Sequence, residues 1–147
     1  MIHFELITPE RKVFSEDVYE VILPTSQGQI SVFPHHLPVA TILTPGVLAL
    51  RKTEKTPDSE LEHVAISGGY VQIDGIQVRV LADTAERADE ISQLRAQEAK
   101  KRAQMLLETT KDEIESAQAS AALERAITRI KVAGLKKRRS HHGPTVE

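Results

Sequence analysis

The chain has 147 residues, 40% of them hydrophobic and 27% charged, with a formal net charge of −2. That length holds one domain, or a small domain with an appendage. Cysteine is absent, which excludes disulfides, thiolate metal sites and cysteine nucleophiles and suits a reducing compartment.

The first half alternates short apolar runs with turn residues. Runs at 2–7, 13–14, 18–23, 29–32, 39–43, 47–50, 61–67, 70–73 and 77–81 predict short strands. Asp74-Gly75, between Val71-Gln72-Ile73 and Ile76-Gln77-Val78, predicts a two-residue hairpin turn, because primed turns need positive φ. Gly68-Gly69 marks a bulge or tight bend rather than a phosphate cradle. Residues 52–60 are polar and read as a mobile hairpin loop. Regular short strands of this kind point to an antiparallel sandwich or barrel.

The composition changes near Thr84. All five aromatics and six of the seven prolines lie before residue 71, whereas residues 85–135 hold eleven of the fifteen alanines and one glycine, Gly134. Helical spacing runs through Ala85, Ala88, Ile91, Ala99, Ala103 and Leu106. It resumes through Ala119, Ala122, Leu123, Ala126, Ile127, Ile130 and Ala133. Thr109-Thr110-Lys111-Asp112 separates the two stretches, with Asp112 or Thr110 as N-cap, and Gly134 is the expected stop. The reading is a body at 1–84, an αα-hairpin of about six turns per arm at 85–135, and a basic, disordered tail at 136–147. Burying an alanine methyl is worth about 0.8 kcal/mol, so a seam built from alanine packs closely but holds weakly.

Charge is as uneven as composition. Residues 1–84 carry 6 Lys+Arg against 11 Asp+Glu, and residues 85–147 carry 13 against 10. Arg125, Arg129, Lys131, Lys136, Lys137, Arg138 and Arg139 fall in fifteen residues without an acid. Such a run is a solvated helix face, or it meets an acidic partner, a phosphate ligand or nucleic acid.

No nucleotide-loop or nucleophile-elbow motif is present. His35-His36 lies in a proline-flanked loop without a third ligand at a metal-site spacing, and His141-His142 is weaker still, so no metal site is expected. Arg95 and Arg102 on the first helical stretch, and Arg125 and Arg129 on the second, keep helical spacing; Arg95 and Arg125 sit at matching distances from the turn, so either their guanidinium groups converge on an anion or the arginines belong to solvent-facing helix surfaces.

Several motifs in order resemble the epsilon subunit of F-type ATP synthases. They are Ile22-Leu23-Pro24-Thr25-Ser26-Gln27-Gly28-Gln29-Ile30, Pro34-His35-His36-Leu37-Pro38-Val39, Leu43-Thr44-Pro45-Gly46-Val47, Ser67-Gly68-Gly69-Tyr70 and Val80-Leu81-Ala82-Asp83-Thr84-Ala85-Glu86. The resemblance implies a flattened ten-stranded β-sandwich followed by an antiparallel two-helix hairpin. It implies a non-catalytic rotor subunit of the central stalk, peripheral to the cytoplasmic face of the cell membrane, with the gamma subunit, the c-subunit ring and the alpha and beta subunits as partners.

The resemblance also assigns residues. Ser26, Gln27, Gly28, Gln29 and His36 match the region facing the c-ring, with Gln29 where family members often have Glu. Arg125, Arg129, Lys131 and Lys136 match the part of an extended hairpin that meets a beta subunit and blocks ATP hydrolysis. In some bacterial members the folded hairpin binds ATP as a regulatory ligand through Ile/Leu-Asp-x-x-Arg-Ala and further arginines. Ile91, Ser92, Arg95 and Ala96 occupy that motif, with Ser92 replacing the aspartate, and Arg102, Arg125 and Arg129 align with the other arginines. No obligatory cofactor is implied. The competing reading is a free-standing nucleotide-sensing or nucleic-acid-binding domain using the basic run; the absence of aromatics beside those charges argues against it.

Overall fold

The computed structural model describes the backbone of residues 1–141 and the side chains of residues 1–136. Eight strands precede two helices: β1 (Ile2–Ile7), β2 (Lys12–Val18), β3 (Glu20–Thr25), β4 (Gly28–Val32), β5 (Val39–Arg51), β6 (Glu62–Ile73), β7 (Gln77–Ala82), β8 (Ala85–Arg87), α1 (Gln93–Thr109) and α2 (Glu113–His141). The strand order is β2-β1-β7-β6-β5-β3-β4, with β8 paired to β6.

Two long strands make the sandwich. Residues 39–43 of β5 pair with 69–73 of β6, and residues 45–50 pair with 62–67, with Thr44 and Gly68 at the bend between the halves. On one side of the bend β6 takes β7 as its other neighbour, and on the other side it takes β8. Each long strand therefore serves both layers. This is why ten implied strands become eight: the runs predicted separately at 39–43 and 47–50, and at 61–67 and 70–73, are continuous.

Alternation then fills the interior. Ile2, Phe4 and Leu6 of β1 and Val78 and Val80 of β7 are each 1% exposed or less. Phe14 of β2 joins them, its ring centroid 6.1 Å from that of Phe4. Full burial of such side chains stabilises by about 1.5–3 kcal/mol each.

Several local expectations change. The run at 18–23 is broken: Val18 ends β2 and Glu20 begins β3, with Tyr19 packed edge-on to Phe33 at 5.7 Å between centroids. β1 and β7 are parallel, so the sheet is mixed rather than antiparallel. They are far apart in sequence, and no short hairpin dictates their direction. The β6–β7 turn falls one residue later than predicted. Asp74 N–H donates to Gln77 O at 3.1 Å, leaving Gly75-Ile76 as the loop, and Asp74 Oδ1 accepts from the N–H groups of Ile76 and Gln77. The 52–60 loop is fastened by Arg51, which donates to Glu20 Oε2 at 2.7 Å, to Asp58 Oδ1 at 2.6 Å and to the carbonyl of Thr56.

The body extends past Thr84. Ala85–Arg87 is a strand, not the first turn of a helix, because it pairs with Val64–Ile66 of β6. α1 begins at Gln93, where Ser92 Oγ accepts from Arg95 N–H as N-cap. Asp112 caps α2 through Oδ1, which accepts from Ile114 N–H at 2.9 Å.

α1 has 17 residues and α2 has 29, about five and eight turns. Gly134 does not stop α2, which continues to His141, so Lys136 and the basic residues after it extend the helix. Residues 142–147, including His142, lie outside the described residues.

The hairpin is folded against the body, with α2 in contact with β5 and β6 as well as with α1. Its fully buried side chains are small: Ala96 and Ala103 on α1, and Ala119, Ala126 and Val132 on α2. Ile127 and Leu106, assigned to the seam by periodicity, are instead 46% and 41% exposed. An alanine seam leaves no room between the helices for larger side chains, which turn outward.

Candidate functional site

Where α2 lies on the sheet, the two halves of the chain enclose a cleft of about 310 Å³. The body supplies Ala65, Ile66, Ser67, Thr84 and Glu86; the arm supplies Ala99, Ala122, Ala126 and two cations, Arg125 and Arg129. Helical spacing i, i+4 puts both guanidinium groups on one face of α2. Arg129 Nε donates to Glu86 Oε2 at 2.5 Å, an ion pair that joins arm to body across 43 residues of chain. Ser67 and Thr84 hydroxyls are hydrogen-bonded to each other at 2.6 Å on the body side. The cleft therefore presents hydroxyls, one carboxylate and two arginines between walls of alanine, an arrangement suited to an anionic ligand that touches both halves.

The predicted nucleotide residues divide into two groups. Arg125 and Arg129 line the cleft. Ile91, Ser92, Arg95 and Ala96 form the start of α1: Ser92 is its cap, Ala96 is wholly buried in the seam, Ile91 is half-buried and Arg95 is exposed. Arg95 and Arg102 are not among the cleft's lining residues, and Arg102 is exposed. Sequence reasoning missed Glu86, Ser67 and Thr84. The signal for Glu86 was faint, because its position follows from β8, which reads as helix by composition.

The residues matched to a ring contact also divide. Ser26, Gln27 and Gly28 form the exposed β3–β4 turn, shaped by Thr25 Oγ1, which donates to Gly28 O at 2.6 Å and accepts from Gln27 N–H. Gln29 is exposed on β4. His36 belongs to the β4–β5 loop, which is joined to the β6–β7 turn by a hydrogen bond from His35 N–H to Gly75 O at 2.8 Å. Register puts the β3–β4 turn beside Leu43 and the His36 loop beyond Val39. The two sites are thus separated along β5 by about 13 Å. Lys131 and Lys136 are exposed on α2, and Arg125 is exposed at the cleft's edge.

A second charged cluster lies under the linker between β8 and α1. Glu90 Oε1 accepts from Arg11 Nη2 at 2.7 Å and Oε2 accepts from Arg87 N–H at 3.1 Å. Burial pushes the Glu90 carboxyl up, but these two donors outweigh it and hold it below the usual carboxylate range. Arg87 donates to Glu62 at 2.6 Å, and its guanidinium lies 4.6 Å from the Phe14 ring centroid.

Among the described residues no helix is long and apolar enough to cross a membrane. Residues 1–88 match the family described as ATP synthase, Delta/Epsilon chain, beta-sandwich domain, and residues 89–134 match its long alpha-helix domain. The boundary between these matches agrees with the end of β8 rather than with Thr84. The ATP synthase epsilon chain of Syntrophobacter fumaroxidans is 44% identical over 132 residues, covering 90% of this chain and 95% of that one. That of Moorella thermoacetica is 41% identical over 133 residues, covering 90% and 96%. A chain in the OSCP/F1/c-ring structure of the Euglena gracilis mitochondrial ATP synthase has the same fold, with a TM-score of 0.75 at 22% identity over 90% of this chain and 80% of that one. The chain belongs to the delta/epsilon family of ATP synthase, alongside its bacterial epsilon chains.

Proposed function

We propose that the chain is a non-catalytic rotor subunit of the central stalk of an F-type ATP synthase, peripheral to the cytoplasmic face of the cell membrane. Its sandwich joins the gamma subunit and the c-ring, and its hairpin is a brake on ATP hydrolysis. Family membership over both halves supports the stalk role and gives the free-standing sensor or nucleic-acid reading nothing to stand on. The outer face of the sandwich offers a docking stripe: Ile42, Tyr70 and Leu81 are neighbours in register on β5, β6 and β7 and are 68%, 42% and 47% exposed. The β3–β4 turn at Ser26–Gln29 suits the ring. The extended arm would carry Arg125, Arg129, Lys131 and Lys136 to a beta subunit, where opposite charge favours binding at low salt.

The observation that carries the regulatory part is the cleft itself. A ligand bridging Arg125 and Arg129 on the arm to the body's hydroxyls stabilises the folded state and no other, so it shifts the arm's equilibrium by its differential affinity. ATP is the ligand the motif implies, with its phosphates at Arg125 and Arg129; in this folded state Arg95 lies outside the cleft's lining and Ala96 is buried in the seam. Ser92, which stands where the motif has aspartate, caps α1 and adds no charge.

Calorimetric titration of the full chain with ATP tests this. Binding is expected, and Arg129→Gln is expected to weaken it about tenfold, the worth of one charge-assisted hydrogen bond. Arg95→Ala asks separately whether the first turn of α1 belongs to the site, and weaker binding is expected there too. No heat from the unsubstituted chain, or equal affinity in all three proteins, contradicts the assignment.

A further inference from the structure

The arm is tied to the body at two levels. Glu86 and Arg87 are consecutive on β8, so their side chains project to opposite faces. Glu86 reaches the arm at Arg129, while Arg87 reaches the body at Glu62 and Phe14. Arg87 Nε is buried, with Asp89 Oδ1 3.8 Å away, beyond hydrogen-bond length. β8 is therefore an anchor. An arm that swings away pivots after Arg87, within the stretch that ends at the Ser92 cap.

Glu90 sits in the middle of that stretch. Its carboxylate bridges two fixed points: the Arg11 side chain and the Arg87 backbone N–H. Its own N–H donates to Arg87 O at 3.0 Å, folding the linker into a turn. Arg11 is presented by a tight β1–β2 turn, where Thr8 N–H donates to Arg11 O at 2.9 Å and Arg11 N–H donates to Thr8 Oγ1 at 3.2 Å. The guanidinium thus projects from the rigid body rather than from a loose loop. Each partner favours the other's charged form, Glu90 lowered and Arg11 raised from their ordinary values.

We propose that the Arg11–Glu90 pair is a latch on the hinge, which sets how readily the arm leaves the body by holding the linker in its folded turn. This rests on the reading of the hairpin as a movable arm. The latch acts on the linker, and neither member lines the cleft of Arg125 and Arg129. Its strength is that of a partly exposed pair, with side chains 54% and 35% exposed, so it biases the equilibrium without locking it. Release by this route is sensitive to salt, and a protein surface competing for Arg11 or Glu90 would open the hinge without any ligand change in the cleft.

The full chain has no cysteine, so Lys55→Cys on the body and Glu108→Cys on α1, both exposed positions, give a unique pair of spin labels. Pulsed dipolar spectroscopy then reads folded and extended populations. Arg11→Gln and Glu90→Gln are each expected to raise the extended fraction about two- to fivefold. Combining Arg11→Gln with Glu90→Gln is expected to raise it no further than either change alone. Arg129→Glu, which sets a carboxylate against Glu86 in place of the ion pair, serves as a chain that opens independently of the latch. Unchanged populations in the single variants, or effects that add in the double variant, overturn the latch while an open Arg129→Glu chain keeps the movable arm. A distance that stays fixed even in Arg129→Glu overturns the movable arm and the latch with it.

Discussion

Replacing Gly69 with alanine is expected to destabilise the sandwich by about 3 kcal/mol or more, measured as a shift in the denaturation midpoint at unchanged slope. Gly69 has φ +150°, and a Cβ there would stand 2.2 Å from Leu81 O and 2.8 Å from Ala82 Cα. Those atoms are the backbone of β7, to which Gly69 is paired at Ala82; on its other side it is paired to Leu43 of β5. A flexible side chain could move aside, but a strand held in the middle of a sheet cannot. The residue stands immediately after Gly68, where β5 and β6 bend together and pass between layers, so displacing β7 also disturbs the corner that makes two layers from one sheet. Two comparisons separate clash from backbone strain. Gly28 has φ +110° and open space around its Cβ position, so Gly28→Ala carries only the strain, on the order of 1–2 kcal/mol. Gly134 is helical with open space, and Gly134→Ala is expected to stabilise α2 by about 1 kcal/mol. A Gly69→Ala protein no less stable than Gly28→Ala contradicts the packing described.

The position of the body's last strand gives the second large effect. A chain ending at Ala88 is expected to unfold cooperatively, whereas a chain ending at Thr84 is expected to be less stable than it by about 3 kcal/mol. The shorter chain loses β8 and its pairing with Val64, Ala65 and Ile66. It loses Ala85, which is 9% exposed, worth about 0.8 kcal/mol for its methyl. It also loses the Arg87 guanidinium over Phe14, worth about 1 kcal/mol, and leaves Glu62 with Lys52 but without Arg87. The remaining loss comes from β6 backbone groups left unpaired at an edge. Urea denaturation of the two truncated chains measures the difference, and equal stability would place β8 outside the body's energetics.

The sequence carried the sheet's alternation well, because alternation is local: Val78 and Val80 lie within the predicted run at 77–81 and are buried. It also carried Ala103, Ala119 and Ala126 of the seam and the Asp112 cap, since spacing and capping need only nearby residues. What it did not carry depends on distant partners. Ala85-Glu86-Arg87 has helix-forming composition and is a strand only because β6 offers an edge. Pro45 interrupts an apolar run yet sits inside β5, where the bend and its pairing with Ser67 tolerate it. Gly134 lacks the following αL turn that would make it a stop, and α2 runs through it. The site divides on the same line. Arg125 and Arg129 are legible as a pair four residues apart, whereas Glu86, Ser67 and Thr84 reach the cleft only through the fold. His36 and Ser26–Gln29 look adjacent in sequence but are carried to different ends of the first half of β5.

On the proposed reading, an arm held by an ion pair and a hinge latch can leave a body that keeps its own core without unfolding it. The most direct measurement is ATP hydrolysis by the assembled synthase carrying either the full chain or the chain ending at Ala88, with its incorporation into the stalk verified in both. Both chains are expected to join the stalk, and hydrolysis is expected to rise severalfold when the arm is gone. Equal hydrolysis rates from the two assemblies would rule out an inhibitory arm.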